Sequence, residues 1–477
     1  MADPTGGGFT MIGRFSIKQS TPHVIVAATL IVGLALMPWP WWARLAGAVL
    51  VIMLATFAFD SRLFTEWLRL LINIRGRRHQ LPVISRADRG ALAMPGEDVA
   101  VRWEGDTLTA LIALHPRPFT FSIVLNSGRT LHDDTVSTKL IADTIAKLDV
   151  PVTVDVVSAG WRVARKAPRT VHQLYEQMIA NDPCPAVRRT FLVVRLDPKT
   201  ALQPAKWRGS GIPGVAAAAV SAATRLAEEL SRHGVEARVS SDFRIYDQLT
   251  DPGKVEKENW SDIHGRDDYT TVFSAPGGPD QWWSVRADRT VTRTRLAVGQ
   301  PPRSVVALST VGRMKLNPVG WTRLRGSQIA GLSGQTPVTD THWDIPIGSA
   351  GLLVGVVPGN AENPAHSESH VYLPLDTVDS VLHIADPMVT VQVIVRAAAC
   401  GAIIRLPADP AWRAVAERVG ASFGQDAYLE WPSRARTWLV THRSSHIVQF
   451  NDREIVTERG RMPITWIRPR EEVATLT

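Results

Sequence analysis

Residues Val24 to Phe59 form one nearly uncharged stretch, broken only by Arg44. Val24 to Trp42 (VIVAATLIVGLALMPWPWW) carries no charge, and after Arg44 the run resumes as LAGAVLVIMLATFAF. A bilayer's apolar core takes about 20 helical residues, so the run is too long for one helix and suits two short or tilted ones. Pro38 and Pro40 fall at its centre and discourage a continuous helix. Trp39, Trp41 and Trp42 suit an interfacial turn. The pattern predicts a transmembrane hairpin over 21–60, with helices at about 22–39 and 41–59. Arg44 is then expected to snorkel to the far surface. A signal peptide fits less well, because the apolar character returns for a second helix.

Further along, apolar positions change period repeatedly. VAVRWEGDTLTALIALHP (99–116) and FTFSIVL (119–125) read as strands, with a turn at Trp103 to Asp106. Val136, Leu140, Ile141, Ile145 and Leu148 share a helical face, with Asp134 and Thr135 as cap candidates. PVTVDVV (151–157) reads as a strand, Val171 to Ala180 as a helix, and TFLVVRL (190–196) as a buried strand. Gly214 to Arg232 is an Ala-rich helix ending at Gly234, followed by the strand VEARV (235–239). Such alternation argues for an α/β layer.

The second half is less regular. WWSVRADRTVTRTRLAV (282–298), SVVALST (304–310), LLVGVVP (352–358) and VTVQVIVRA (389–397) read as strands. Asp409–Pro410 caps a helix to about Val419, and TWLV (437–440) and HIVQF (446–450) follow as strands. Segments 249–281, 326–348 and 358–369 read as long polar loops. The division expected is a flexible 1–20, the hairpin at 21–60, a basic juxtamembrane segment at 61–80, and an α/β domain in two parts. Those parts are 81–250 and 349–460, with loops and strands inserted at 251–348 and a tail at 461–477.

Charge adds orientation. Arg14 and Lys18 precede the apolar run, and Arg62, Arg69, Arg75, Arg77 and Arg78 follow it, against only Asp60 and Glu66. The positive-inside rule places both flanks in the cytoplasm. The expectation is thus a two-pass protein of the inner (plasma) membrane with a cytoplasmic N-terminus and large C-terminal region, contacting membrane lipids. The formal net charge of +8 does not point to nucleic acid, because much of the excess sits beside the apolar run. Two cysteines, Cys184 and Cys400, form no CxxC and read as inert thiols in a reducing compartment.

Chemistry is sparse. Gly209, Gly211 and Gly214 spell G-x-G-x-x-G, but the preceding strand ends a dozen residues too early, Pro213 removes a donor, and Glu236 falls at the start of the next strand instead of its end. A Gly-rich entry into a helix is the reading preferred over a cofactor site. There is no P-loop. His342, Asp344, His366 and His370 are metal-ligand types in loop contexts, and His115 beside Pro116 ends a strand. Asp133–Asp134 and Asp267–Asp268 are the adjacent aspartate pairs that could hold a divalent ion. The first reads better as a helix start, the second as solvated loop. No catalytic, cofactor-binding or metal residue is assigned, and no cofactor.

MPWPWWAR at the turn of the hairpin, the basic exit, VRWEGDTLTALIAL and FLVVRLDP together resemble the EccE family of the type VII (ESX) secretion system of mycobacteria and related actinobacteria, from about Thr21 to residue 450. The resemblance implies a membrane anchor, a degenerate glycosyltransferase-like fold and partners of the EccB, EccC and EccD kinds. It implies a structural role in assembly without catalysis and carries no site residues over. In this role the charged and aromatic residues of 249–281 (Lys254, Lys257, Trp260, Arg266, Tyr269) are interface candidates. The alternative is a membrane-anchored glycosyltransferase-like enzyme with a nucleotide-sugar donor, requiring Asp133, Asp134, Asp267 or Asp268. A third class is a regulator binding a small ligand at 209–214.

Overall fold

The computed structural model describes residues 15–17, 21–59, 62–63, 71–72, 92–93 and 99–467, apart from 126, 252–254, 333–340, 359–368, 440–445 and 452. Most of the expected N-terminus, basic segment and C-terminal tail, together with Lys254 and His366, lies outside these residues.

The apolar run folds into two packed helices, α1 (Thr21–Ala35) and α2 (Trp41–Thr56), of 15 and 16 residues. At 1.5 Å per residue they are about 22 and 24 Å long, short of a hydrocarbon core of about 30 Å. Among the described residues no helix is long and apolar enough to cross a membrane. This overturns the transmembrane hairpin, and with it the two-pass inner-membrane placement and the sidedness read from it. The physical reason lies in how the run is spent. Residues 36–40 go to the proline-containing turn, and Phe57–Phe59, expected inside the second helix, is a strand paired with Phe15–Ile17. Arg44 does not snorkel away either. Its Nε donates to the Trp39 carbonyl of the turn at 2.8 Å and its Nη1 to the Ala35 carbonyl at 3.3 Å, the latter an acceptor that the end of α1 leaves open.

A twelve-stranded sheet organises the middle of the chain. Its long strands are β1 (Ala100–Glu104), β2 (Thr107–Leu114), β3 (Val152–Trp161), β4 (Val187–Leu196), β5 (Tyr269–Ser274), β6 (Arg289–Ala297) and β7 (Gln300–Thr310). Their order across the sheet is β5–β7–β6–β3–β4–β2–β1. Helices layer on the sheet, as expected of an α/β region, yet these neighbours all pair antiparallel. Both faces are buried, which is why the strands read as continuous apolar runs. One face carries Val152, Val154, Val156, Leu192 and Val194 under two helices, α3 (Thr138–Ile145) and the Ala-rich α5 (Gly211–Arg232). Between them in the chain comes α4 (Arg169–Ile179). The opposite face carries Val157, Ala159, Phe191 and Val193 under Tyr246 and Leu249 of α6 (Arg244–Thr250).

Several local expectations change. Asp134 and Thr135 do not cap α3, because Thr135–Ser137 is a strand paired with Asp344–Pro346. The polar stretch 249–281 is not one long loop: besides β5 it holds Val255–Glu258 and Ile263–Gly265, which continue the large sheet beyond β5. Trp282 and Trp283 sit on a short helix, α7 (Pro279–Ser284), buried against Phe273 and Trp321. The 389–397 segment, expected as a strand, lies within α8 (Pro387–Cys400). Its ends decide the matter: Asp386 accepts the Met388 N–H at 2.8 Å, Pro387 occupies the first turn, and Gly401 closes the helix at φ 99°. Because α8 is buried on most sides, its 3.6-residue period is hidden. It centres the C-terminal core, beside an eight-stranded sheet in which Ser380–Ile384 pairs parallel with Arg436–Trp438 and Ile447–Phe450.

Candidate interaction surfaces

The residues singled out for chemistry do not converge. His342 Nδ1 lies 3.3 Å from Thr138 Oγ1, and Asp344 is exposed at the start of its strand. His370 is instead bonded to Asp182 at 2.6 Å, beside the Tyr372 hydroxyl on the same carboxylate oxygen. His115 follows β2 and donates its backbone N–H to the Glu236 carbonyl. Among the described residues no group of three or more His, Cys, Asp or Glu could hold a metal ion. Asp134 is saturated by Arg117 and Thr120, while the Asp133 carbonyl accepts from Arg117. Asp267 and Asp268 lie on the turn before β5. There the Asp267 carbonyl accepts from Arg165, and burial raises the half-buried Asp268 carboxyl above its ordinary range against the pull of Arg289.

The Gly-rich segment is a helix–helix corner. The short helix Leu202–Arg208 runs into α5, and a Cβ on Gly214 would stand 2.2 Å from the Gly209 carbonyl oxygen and 2.6 Å from that of Ala205. Glycine is therefore needed for close backbone approach. Asp149 stitches the corner through Arg208 at 2.7 Å and Arg225 at 2.6 Å. Both thiols are buried. Burial pushes Cys400 up to about 12 and Cys184 well above its ordinary value. Native protein should accordingly show no reaction with a thiol reagent such as Ellman's over minutes, and two equivalents after denaturation; fast native labelling would contradict the burial.

Sequence reading missed a buried charge network. Asp155, in PVTVDVV, is fully buried on the face of β3 covered by α6. It accepts from Arg195 (2.9 Å), Arg293 (2.8 Å) and Arg295 (2.6 and 2.9 Å). Arg195 also meets Glu104 at 2.7 Å, and Arg102 joins Glu104 at 2.6 Å to Asp247 at 2.8 Å. Burial disfavours the charged Asp155, but the Arg295 hydrogen bonds and the charges of Arg195, Arg293 and Arg295 prevail and hold its carboxyl far below the usual range. The network is satisfied and ties β1, β3, β4 and β6 to α6. The available signal was a charge inside an otherwise apolar strand, as at Asp155 and Arg195.

What remains outward-facing suits contact. The loop after β7, 311–320, is pinned from below. Val311 donates its N–H to Asp288, Arg323 bonds the Met314 carbonyl at 3.0 Å and Asn317 at 3.1 Å, and Met314 packs with the tryptophan cluster. Yet Leu316 is 82% and Val319 100% exposed. Trp207, at 77%, stands beside the helix corner with Leu202 and Ile212. Rigidly held, exposed apolar side chains are poor for solubility and good for docking. Of the interface candidates in 249–281, Lys257 and Arg266 are exposed, whereas Tyr269 stacks on His264 at 4.7 Å. A cleft of about 160 Å³ lies between α4 and residues 286–288, lined by Arg162, His172, Glu176, Arg286 and Asp288.

Dispersed candidate chemistry and pinned, outward apolar side chains are the features of a protein that binds other proteins. The comparisons then give the family. The family model described as type VII ESX secretion system translocon, EccE, matches residues 184–275. The chain is 40% identical over 467 residues to the ESX-1 secretion system protein EccE1 of Mycobacterium tuberculosis, covering 97% of this chain and 98% of that relative. It is 38% identical over 464 residues to EccE1 of Mycolicibacterium smegmatis, covering 96% and 97%. The ESX-2 secretion system protein EccE2 of Mycobacterium tuberculosis matches at 24% identity over 276 residues, covering 55% of this chain and 45% of the relative. The chain belongs to the EccE family.

Proposed function

We propose that this chain is a structural component of a type VII (ESX) secretion system that braces partner subunits and performs no catalysis. The observation that carries the reading is the near-full-length likeness to ESX-1 secretion system proteins EccE1. The saturated Asp155 network and the scattering of the aspartate and histidine candidates support it from the side of chemistry. The partners are subunits of the EccB, EccC and EccD kinds, with the 311–320 loop as one docking element.

Gentle-detergent purification of the tagged full-length protein from its native cells, with identification of everything retained, tests the reading. Recovery in a large assembly containing such subunits is expected; a small, partnerless species under conditions that preserve other complexes would overturn it. The double variant Leu316→Asp, Val319→Asp is expected to lower co-recovery by about tenfold or more, as loss of apolar anchors does, with melting unchanged. Full recovery of that variant would remove the loop from the interface and leave the assembly role standing.

A further inference from the structure

Arg188 opens β4 and is 1% exposed. Its Nε donates to the Gly348 carbonyl at 2.7 Å, and its guanidinium carbon lies 5.6 Å from the Trp283 ring centre. Among the described residues Nη1 and Nη2 meet no acceptor, and no carboxylate approaches within the 4.0 Å of an ion pair. A buried cation without a counter-charge is costly. Burial accordingly lowers Arg188 to about 10.

His132, which lines the same cavity, carries a second unmet group. Ser122 Oγ is 2.9 Å from His132 Nδ1, and His132 Nε2 is shut off from solvent with no partner. With the hydroxyl donating to Nδ1, a neutral ring carries its proton on Nε2 and presents an unmet donor. Burial and the Arg188 charge keep the ring neutral, well below its ordinary titration range. Arg188, His132 and Ser122 line one cavity of about 10 Å³, together with Thr120, Ser349 and the Arg117–Asp134 pair. The carboxylates nearby are engaged: Asp134 by Arg117 and Thr120, Asp376 by Ser349 at 2.8 Å and Arg189 at 3.6 Å, and Asp280 by the Thr130 N–H at 3.3 Å.

We propose that this cavity binds a monatomic inorganic anion, chloride in solution, held between the terminal nitrogens of Arg188 and His132 Nε2–H. The cavity has room for one water-sized species, which excludes phosphate, sulfate and acetate. The lining comes from three segments: the strands of Ser122 and His132, the start of β4 and the Gly348–Ser349 link. The anion would therefore neutralise Arg188 at a seam between sheets.

The test is the ³⁵Cl NMR linewidth of dilute chloride with the full-length protein, alongside melting at constant ionic strength as gluconate is replaced by chloride or bromide. Protein-dependent broadening is expected, with a melting rise of roughly 2–4 °C at saturating halide. Acetate or phosphate in place of chloride should give neither effect. Arg188→Gln and the cavity-filling His132→Phe should abolish both effects. Equal melting in chloride and gluconate with no broadening by the wild-type protein would overturn the proposal and leave a water in the cavity. That reading needs no variant to fold.

Discussion

Replacing Asp155 by alanine is expected to destabilise the protein by about 3–5 kcal/mol, the range for removing one partner from a buried ion network. The loss exceeds that of a surface ion pair because three guanidinium groups, Arg195, Arg293 and Arg295, converge on this buried carboxylate within 2.9 Å. Removing it leaves buried positive charges facing one another. Chemical denaturation at pH 7 reads the effect, and a change below about 1 kcal/mol, typical of surface pairs, would show that the network is dispensable. The pH dependence has a definite sign. The folded-state pKa of Asp155 is depressed, so its contribution is complete above the unfolded value of about 3.9 and is lost as pH falls below it toward the folded value. Glu104 is lowered too, burial being outweighed by Arg195 and Arg102, and acts in the same direction. The wild-type denaturation midpoint should therefore drop steeply between about pH 4 and pH 2, and less steeply in Asp155→Ala, which lacks that carboxylate in both states.

Gly160→Ala is the second large effect. Gly160 lies in β3 opposite Arg188 of β4 and Thr290 of β6. A Cβ there would stand 1.8 Å from the Val187 carbonyl oxygen and 2.7 Å from its carbon. Those are backbone atoms of a central strand with no rotamer to change, so relief requires β3 and β4 to separate. A cost of about 3 kcal/mol or more follows from overpacking a rigid core. Gly312→Ala is the control: nothing lies within 4 Å of its would-be Cβ, and the expected change is within about 0.5 kcal/mol. Equal stability of the two variants would mean that the sheet centre yields more than its packing implies.

Much of the α/β body was legible because local signals agreed with one another. The β1–β2 hairpin announced itself by two apolar runs flanking Glu104–Thr107, with Gly105 at φ 63°. TFLVVRL read as a buried strand, and it is one. The helix of Gly214–Arg232 ended where Gly234, at φ 82°, allows a left-handed residue. The candidate surface was less legible. Leu316 and Val319 sit in KLNPVG, an unremarkable turn sequence, and only the pinning by Arg323 and Asn317 fixes them outward. The Arg188–His132 cavity was invisible, since its lining comes from positions scattered between residues 116 and 374.

By itself the sequence determined the type of most elements and the resemblance to the EccE family, because these rest on short-range patterns: period, turn chemistry and motif spacing. It also located the long apolar run correctly but not its fate, since apolarity is local while helix length depends on where the turn at 36–40 falls and on the pairing of Phe57–Phe59 with Phe15–Ile17. Only the tertiary structure decided that Pro387–Cys400 is a helix. Burial on most sides erases the periodicity that distinguishes helix from strand, and the end caps settle the choice. Likewise, a carboxylate at position 155 becomes the clasp of the sheet only when register brings Arg195, Arg293 and Arg295 to one face. Register is a long-range property, and no window of sequence contains it.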